Sequence, residues 1–162
     1  MIGRPLGNRL ATLVFVCTGN ICRSPMAEAL LRTRLAGSGL DTEVLVRSAG
    51  THGVDGSPAS DYAVVAMRAM GIDLTDHRAR TLTQDTIDGA DLLLAMTDRQ
   101  VDFIRRRFRR TRGKLYLLSE MVDQDFDIED PYGGTKEEYA RCARQLADLI
   151  ERGFSRMESL LI

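Results

Sequence analysis

The residues best suited to chemistry lie in one short segment, Cys17-Thr18-Gly19-Asn20-Ile21-Cys22-Arg23-Ser24. An apolar run at residues 13–16 precedes it, as expected of a strand that is buried on both faces. The pair Ser24-Pro25 is typical of a helix start, with Ser24 as N-cap and Pro25 in the first helical position. The segment is therefore predicted to connect a buried strand to the N-terminus of a helix.

A turn of this kind is suited to binding an anion. Its backbone N–H groups point inward, and the helix dipole favours negative charge at the helix N-terminus. Gly19 tolerates the positive φ that a tight curl needs. Arg23 adds a permanent charge whose guanidinium can hold two phosphate oxygens. We expect a phosphate-binding loop clamped by Arg23 and formed by Thr18, Gly19, Asn20, Ile21, Cys22 and Ser24.

Cys17 stands at the mouth of this predicted loop. Positive surroundings stabilise the thiolate, which is the nucleophilic form of cysteine, and the Ser24 hydroxyl could donate a hydrogen bond to it. An isolated cysteine at the end of a strand is more often a small buried apolar residue. The five residues between Cys17 and Arg23-Ser24, set between a strand and a Pro-started helix, favour a catalytic nucleophile instead.

The rest of the chain alternates between apolar runs and amphipathic segments. Strands are predicted at residues 13–16, 43–46, 90–96 and 114–118. Helices are predicted from Ser24-Pro25 to Gly37, from Ser57-Pro58 to Gly71, over residues 97–108, and from residue 136 past residue 150. This alternation predicts a single-domain α/β fold, a four-stranded parallel sheet with helices on both faces, doubly wound in the flavodoxin-like manner. Ligands of such sheets bind at the carboxyl ends of the strands, where residues 17–24 are expected.

Composition and charge narrow the class of protein. The chain has 162 residues, 44% of them apolar, which suits one folded domain. Residues 12–162 are assigned to that domain and residues 1–11 to a flexible leader. Basic residues number 22 against 23 acidic ones, so neither nucleic acid nor an anionic membrane is indicated as a partner. No apolar run approaches the roughly 20 residues of a membrane-spanning helix.

The three cysteines, Cys17, Cys22 and Cys142, are too widely spaced for a disulfide framework, and no second Cys or His group completes a zinc site. A reducing, cytoplasmic compartment is expected. Cys22 either forms a reversible disulfide with Cys17 or packs as a thiol behind the loop, and the sequence leaves both open. Cys142 falls on the apolar stripe of the last predicted helix and is expected in the core.

A cluster of arginines allows a rival hypothesis, a nucleic-acid or partner-binding module. The cluster comprises Arg105, Arg106, Arg107, Arg109, Arg110 and Arg112. Cations near a helix C-terminus are favourable on their own, and the net charge of -1 argues against a nucleic-acid partner. Four acidic residues, Asp123, Asp125, Asp127 and Glu129, are expected in a solvated loop, and His52 is expected at a surface or loop position.

Residues 14–30, VFVCTGNICRSPMAEAL, resemble the signature of the low-molecular-weight protein tyrosine phosphatases. Similar segments of that family fall at Ser48-Ala49-Gly50-Thr51, at Ala95-Met96 and at Asp130-Pro131-Tyr132-Gly133-Gly134. The resemblance extends over residues 12–152, so it concerns the whole domain. It is to the bacterial type, close to a branch that removes phosphate from arginine.

The resemblance implies a hydrolase that works in two steps. Cys17 attacks phosphorus and forms a cysteinyl-phosphate, while Arg23 holds the phosphate. Asp130 protonates the leaving oxygen and then activates water. Ser48 and His77, together with Asn20, match positions that hold the shape of the loop in the family. No cofactor and no metal is implied. The implied partner is a phosphorylated protein, such as a bacterial tyrosine kinase or one of its targets, and the chain is expected to be a monomer or a weak dimer.

Ile21 and Tyr132 are expected to choose among phosphate esters. Their side chains can sandwich a phenyl ring, and a deep slot would keep short phosphoserine away from Cys17. The arginine phosphatase branch carries Thr at the position of Ile21 and Phe at that of Tyr132. Phosphotyrosine is therefore the expected substrate, with phosphoarginine as the alternative. Thiol-dependent arsenate reductases share the fold but need further downstream cysteines, and here Cys142 is the only one downstream.

Overall fold

The structure, a computed structural model, describes residues 9–162. Its parallel sheet has the strand order β2-β1-β3-β4, with β1 at Ala11–Cys17, β2 at Val44–Gly50, β3 at Leu92–Ala95 and β4 at Leu115–Leu117. The central strand β1 ends at Cys17, which pairs with Gly50 of β2. The predicted four-stranded parallel sheet is confirmed, and its strand order is that of the flavodoxin-like fold.

The helices of the described residues cover both faces of the sheet. They are α1 at Arg23–Ser38, α2 at Asp61–Ala69, α3 at Gln84–Gly89, α4 at Asp98–Arg107 and α5 at Lys136–Leu161, with a 3-10 helix at Leu118–Val122. The first, second and fifth helices share one apolar core, and α3 and α4 share the other. The predicted doubly wound α/β architecture is confirmed.

Strand β1 shows why its sequence is apolar without interruption. Leu13 and Phe15 point into the core beneath α1 and α5, whereas Val14 and Val16 point into the core beneath α3 and α4. All four side chains are buried. Because successive strand residues face opposite sides of the sheet, a strand covered on both faces must be apolar at every position.

Two predicted helix starts are wrong. Helix α1 begins at Arg23 with Cys22 as N-cap, so Ser24 and Pro25 are its second and third residues. The Ser24 hydroxyl lies 2.9 Å from the Cys17 sulfur and therefore serves the thiol instead of capping the helix. The other predicted start, Ser57-Pro58, lies before the helix, because α2 begins at Asp61.

Other element boundaries also differ from the prediction. Helix α1 ends at Ser38 and is capped by Gly39, whose φ of 76° is left-handed, whereas the predicted end was Gly37. Helix α3 was not predicted, because Ile87 is its single buried side chain and six residues give no apolar stripe. Residues 1–8 of the predicted leader lie outside the described residues, so the leader stays a prediction there. Its predicted end at residue 11 is wrong, because Ala11 is buried and already belongs to β1.

Candidate active site

Residues 18–22 connect the carboxyl end of β1 to the N-terminus of α1. The residue with a left-handed backbone in this turn is Asn20, with φ of 59°. The expected role of Gly19 in the curl is therefore wrong. A glycine is needed instead on the neighbouring strand, because a Cβ at Gly50 would collide with the carbonyl oxygen of Thr18. The Gly50 position lets β2 lie close against the loop.

Asn20 holds the turn through its side chain and its carbonyl. Its Nδ2 donates to the hydroxyls of Ser24 (2.8 Å) and Ser48 (3.0 Å), and its Oδ1 accepts from the backbone N–H of Arg80 (2.9 Å). The Nε2 of His77 donates to its carbonyl oxygen at 2.7 Å. A left-handed non-glycine residue costs about 1–3 kcal/mol, and these four hydrogen bonds offset that cost. The structure thus brings Ser48 and His77, the two predicted support residues, onto Asn20.

Glu28 of α1 extends this network behind the loop. The Ser48 hydroxyl donates to its Oε2 at 2.6 Å, and Arg32 lies 2.6 Å from its Oε1. Glu28 was not predicted as a site residue, because a glutamate inside a helix is an ordinary surface residue until the fold buries it. Here it is 8% exposed, and its charge is balanced by Arg32.

We expect His77 to make stability depend on pH. Burial lowers the pKa of its imidazole from 6.5, so the unfolded chain takes up the proton more readily than the folded chain. The contribution of His77 to stability is therefore complete above pH 6.5 and declines as the pH falls below that value. The free energy of unfolding, measured with urea, should be smaller at about pH 5.5 than at about pH 7. His77→Gln, which keeps a side-chain donor for Asn20, should shrink that difference, and an unchanged difference would contradict the assignment.

Arg23 lies in the first turn of α1 and is 3% exposed. Its Nη1 donates to the carbonyl oxygen of Ile128 at 2.8 Å, and its Nη2 lies 3.3 Å from the Asp130 carboxylate. Its buried Nε has no hydrogen-bond partner among the described residues. A buried cationic donor without a partner is unfavourable. The guanidinium is therefore well placed to donate to an anion.

Asp130 approaches Arg23 from a different segment of the chain, the one between the 3-10 helix and α5. Its Oδ2 faces Arg23, and its Oδ1 accepts from the backbone N–H of Tyr132 at 3.1 Å. The carboxyl remains 47% exposed. A local turn thus fixes the side chain while one face stays open to a ligand.

One cavity of about 280 Å³ joins these groups. Its lining residues are Cys17, Thr18, Gly19, Ile21, Cys22, Arg23, His52, Val54, Asp130 and Tyr132. The structure therefore brings the three predicted catalytic side chains, Cys17, Arg23 and Asp130, to one space. Both predicted specificity residues line it as well, and Tyr132 is 68% exposed at its wall.

His52 and Val54 were missed as lining residues. His52 lies in a loop, as expected, but its ring faces the cavity and lies 4.9 Å from that of Phe103. A second cavity of about 650 Å³ adjoins the first and shares Thr18, Arg23, His52 and Asp130 with it. No local pattern marks these loop residues, because their role depends on how the strands align.

Cys22 is a buried thiol in the core that α1, α2 and α5 share. Its Sγ lies 3.1 Å from the Ser60 hydroxyl and 3.3 Å from the Tyr139 hydroxyl. Burial raises the pKa of this thiol and raises that of Cys142 to about 12, so both stay protonated near neutral pH. All three cysteines are free thiols, and Cys142 is buried in the core of α5 as predicted.

The arginine cluster lies apart from the cavity. Helix α4 begins beside the carboxyl end of β3 and runs back along the sheet. Its last turn therefore lies at the end of the sheet where the strands begin. Its arginines are exposed there, and Arg110 pairs with Asp88 at 2.7 Å. Among residues 9–162, no group of three or more His, Cys, Asp or Glu side chains could hold a metal ion, and none of the helices is long and apolar enough to cross a membrane.

Several known proteins resemble this chain in both sequence and structure. A protein from Ralstonia nicotianae, called a probable low molecular weight protein-tyrosine-phosphatase EpsP, is 40% identical over 144 residues, which is 89% of this chain and 91% of the relative. A protein-arginine-phosphatase from Bacillus subtilis is 39% identical, with 86% of this chain and 92% of the relative covered. The crystal structure of a low molecular weight protein tyrosine phosphatase from T. tengcongensis superposes with a TM-score of 0.86 at 36% identity, covering 90% of this chain and 99% of that one.

The family model described as low molecular weight phosphotyrosine protein phosphatase matches residues 12–159. That span contains the loop, its supporting network and the Asp130 segment. The predicted enzyme class is confirmed, because the match covers nearly all of the chain and the curated relatives are phosphatases. Both the sequence match and the shared architecture therefore show that this chain belongs to the low molecular weight phosphotyrosine protein phosphatase family.

Proposed function

We propose that this phosphatase hydrolyses phosphotyrosine in proteins, with Cys17 as nucleophile, Arg23 as phosphate clamp and Asp130 as general acid and base. The observation that carries the proposal is the single cavity lined by these three side chains. The Ser24 hydroxyl, 2.9 Å from the Cys17 sulfur, can donate to the thiolate and stabilise it. Asn20 Nδ2 donates a hydrogen bond to the same hydroxyl and holds it in place.

In the first step the phosphate group binds at the N-terminus of α1. Among residues 9–162, the Nε of Arg23 has no hydrogen-bond partner and its Nη2 faces Asp130, so the guanidinium can donate two hydrogen bonds to phosphate oxygens. The Cys17 sulfur attacks phosphorus, the P–O bond to the substrate breaks, and a cysteinyl-phosphate forms. Asp130 gives its proton to the leaving phenolic oxygen.

The second step returns the enzyme to its starting state. Asp130, now a carboxylate, takes a proton from a water molecule that attacks phosphorus. The S–P bond breaks, the thiolate is restored and inorganic phosphate leaves. Arg23 and the backbone N–H groups of the loop stabilise the charge on the phosphoryl oxygens in both steps. The partly exposed position of Asp130 supports this role, since water and leaving group must both reach it.

The chemistry of the cavity wall favours phosphotyrosine over phosphoarginine as the substrate. Ile21 and Val54 provide aliphatic surface, and Tyr132 provides an aromatic ring at the wall. Such surfaces suit the flat face of a phenyl ring. Ile21 offers no hydroxyl to orient attack on a P–N bond. Relatives named as protein-tyrosine and as protein-arginine phosphatases are about equally similar to this chain, so the choice rests on these residues.

Exchanging Ile21 tests this assignment. We expect Ile21→Thr to raise kcat/KM for a phosphoarginine peptide relative to a phosphotyrosine peptide, because it adds a hydroxyl and removes aliphatic surface. Ile21→Val is the matched control, since it removes similar bulk without adding a hydroxyl. The shift should be about tenfold, the effect of one hydrogen bond. If both variants keep the wild-type ratio, specificity is set elsewhere in the cavity.

The partner and compartment follow from the same chemistry. Relatives include phosphatases named EpsP, Etp and AmsI. We infer that the partner is a tyrosine-phosphorylated protein, such as a bacterial tyrosine kinase or its target. Three free thiols support a reducing, cytoplasmic location. The chain is proposed to act as a monomer or weak dimer, and sedimentation at increasing concentration tests this.

A further inference from the structure

Gln100 lies in the first turn of α4 and is 4% exposed. Its Oε1 accepts from the backbone N–H groups of Met96 (2.9 Å) and Thr97 (3.0 Å). Because both partners are donors, the oxygen end of the amide must face them. The Nε2 is thereby directed at the Thr18 hydroxyl of the phosphate-binding loop, 3.2 Å away.

The helix cap of α4 accounts for the contacts of the Gln100 amide oxygen but not for the contact of its nitrogen. Thr97 is the N-cap, and Gln100 completes a capping box at the third helical position. That position needs only an acceptor, so glutamate serves it as well as glutamine. The donor end of Gln100 is not required by the helix. Its contact with Thr18 therefore indicates a second role.

The same residue is connected to the other side of the active site. Met96 donates its backbone N–H to Gln100. Its carbonyl oxygen accepts a hydrogen bond from the backbone N–H of Ile128 at 2.9 Å. The carbonyl oxygen of Ile128 in turn accepts from Arg23 Nη1 at 2.8 Å. A chain of hydrogen bonds thus runs from Thr18 through Gln100, Met96 and Ile128 to the guanidinium that faces the acid.

We propose that Gln100 is a positioning residue that sets the spacing between the phosphate-binding loop and the segment that carries Asp130. It acts through Thr18 on one side and through Met96 and Ile128 on the other. The inference rests on the proposed function, in which a nucleophile and an acid on separate loops must act on one phosphoryl group. Catalysis of this kind is sensitive to geometry, since a displacement of about 1 Å can cost about 100-fold in rate.

Two variants separate positioning from folding. Gln100→Glu keeps the acceptor for the helix cap and removes the donor to Thr18. Thr18→Val removes the hydroxyl, leaves the cap untouched and introduces no charge. For each we expect kcat on an aryl phosphate to fall about tenfold, while Tm changes by less than about 4 °C. KM should change by less than about threefold, because the phosphate clamp itself is intact.

The double variant shows whether the two residues act as a pair. If Gln100 acts through Thr18, then Gln100→Glu causes little further loss of kcat in the Thr18→Val background. Losses that multiply, or losses that follow Tm, would overturn the proposal, as would wild-type kcat in both single variants. Absence of turnover by the unmodified protein would overturn the proposed function itself, and this inference with it.

Discussion

Cys17→Ser should abolish turnover of an aryl phosphate while the protein stays folded. A serine hydroxyl is not ionised near neutral pH, so it is a much weaker nucleophile than a cysteine thiolate. The thiol is 2% exposed, and serine is slightly smaller and can keep the contact with Ser24. The free energy of unfolding should therefore change by no more than about 2 kcal/mol.

Steady-state kinetics measure the turnover of the variant, and urea unfolding measures its stability. Cys142→Ser is the matched control, because it makes the same atomic change at a buried thiol of α5 outside the 280 Å³ cavity. That control should keep nearly full turnover. Substantial turnover by Cys17→Ser, or equal loss in both variants, would contradict the role of Cys17.

Asp130→Asn should lower kcat by about 100- to 10,000-fold on substrates with poor leaving groups. Asparagine keeps the size of the side chain and its turn with Tyr132, but it cannot donate a proton to the leaving oxygen. A nitrophenolate leaves without that proton, so the loss in the first step should be much smaller for nitrophenyl phosphate. The slope of log kcat/KM against the leaving-group pKa should become steeper.

Asp127→Asn provides the control for this series. Asp127 lies in the same acidic segment and lines the neighbouring cavity, where it accepts from the backbone N–H of Asp98 at 2.9 Å. Its removal changes the local charge by the same amount without touching the proposed acid. An Asp130→Asn variant with the leaving-group dependence of the wild type would remove Asp130 from the acid role.

Local patterns were enough to predict the core of the fold. The unbroken apolar run of β1 follows from burial on both faces, and the spacing from Cys17 to Arg23 marks the turn into α1. Details of that turn were not predictable, because they depend on tertiary contacts. Asn20 takes the left-handed conformation in place of Gly19. Its hydrogen bonds with β2 and with the segment before α3 offset the conformational cost.

Gln100 and His52 were missed for the same physical reason, because the contacts that place them depend on residues distant in sequence. Gln100 contacts Thr18 across 82 positions of sequence, and His52 reaches the cavity only because β2 pairs in register with β1. Ser24 carries both a helix-capping signal and a hydroxyl suited to a thiolate, and only the packed structure shows which of these is used. Helix α3 was missed because six residues with one buried side chain carry no periodic signal.

A covalent intermediate is the central claim, and rapid acid quenching during turnover tests it directly. Mass spectrometry of the quenched and digested protein should find phosphate on the peptide that contains Cys17. The amount should rise in Asp130→Asn with nitrophenyl phosphate, because the loss of the base slows hydrolysis of the cysteinyl-phosphate more than its formation. Steady turnover with no phosphate on this peptide, or with phosphate on another residue, would contradict the account.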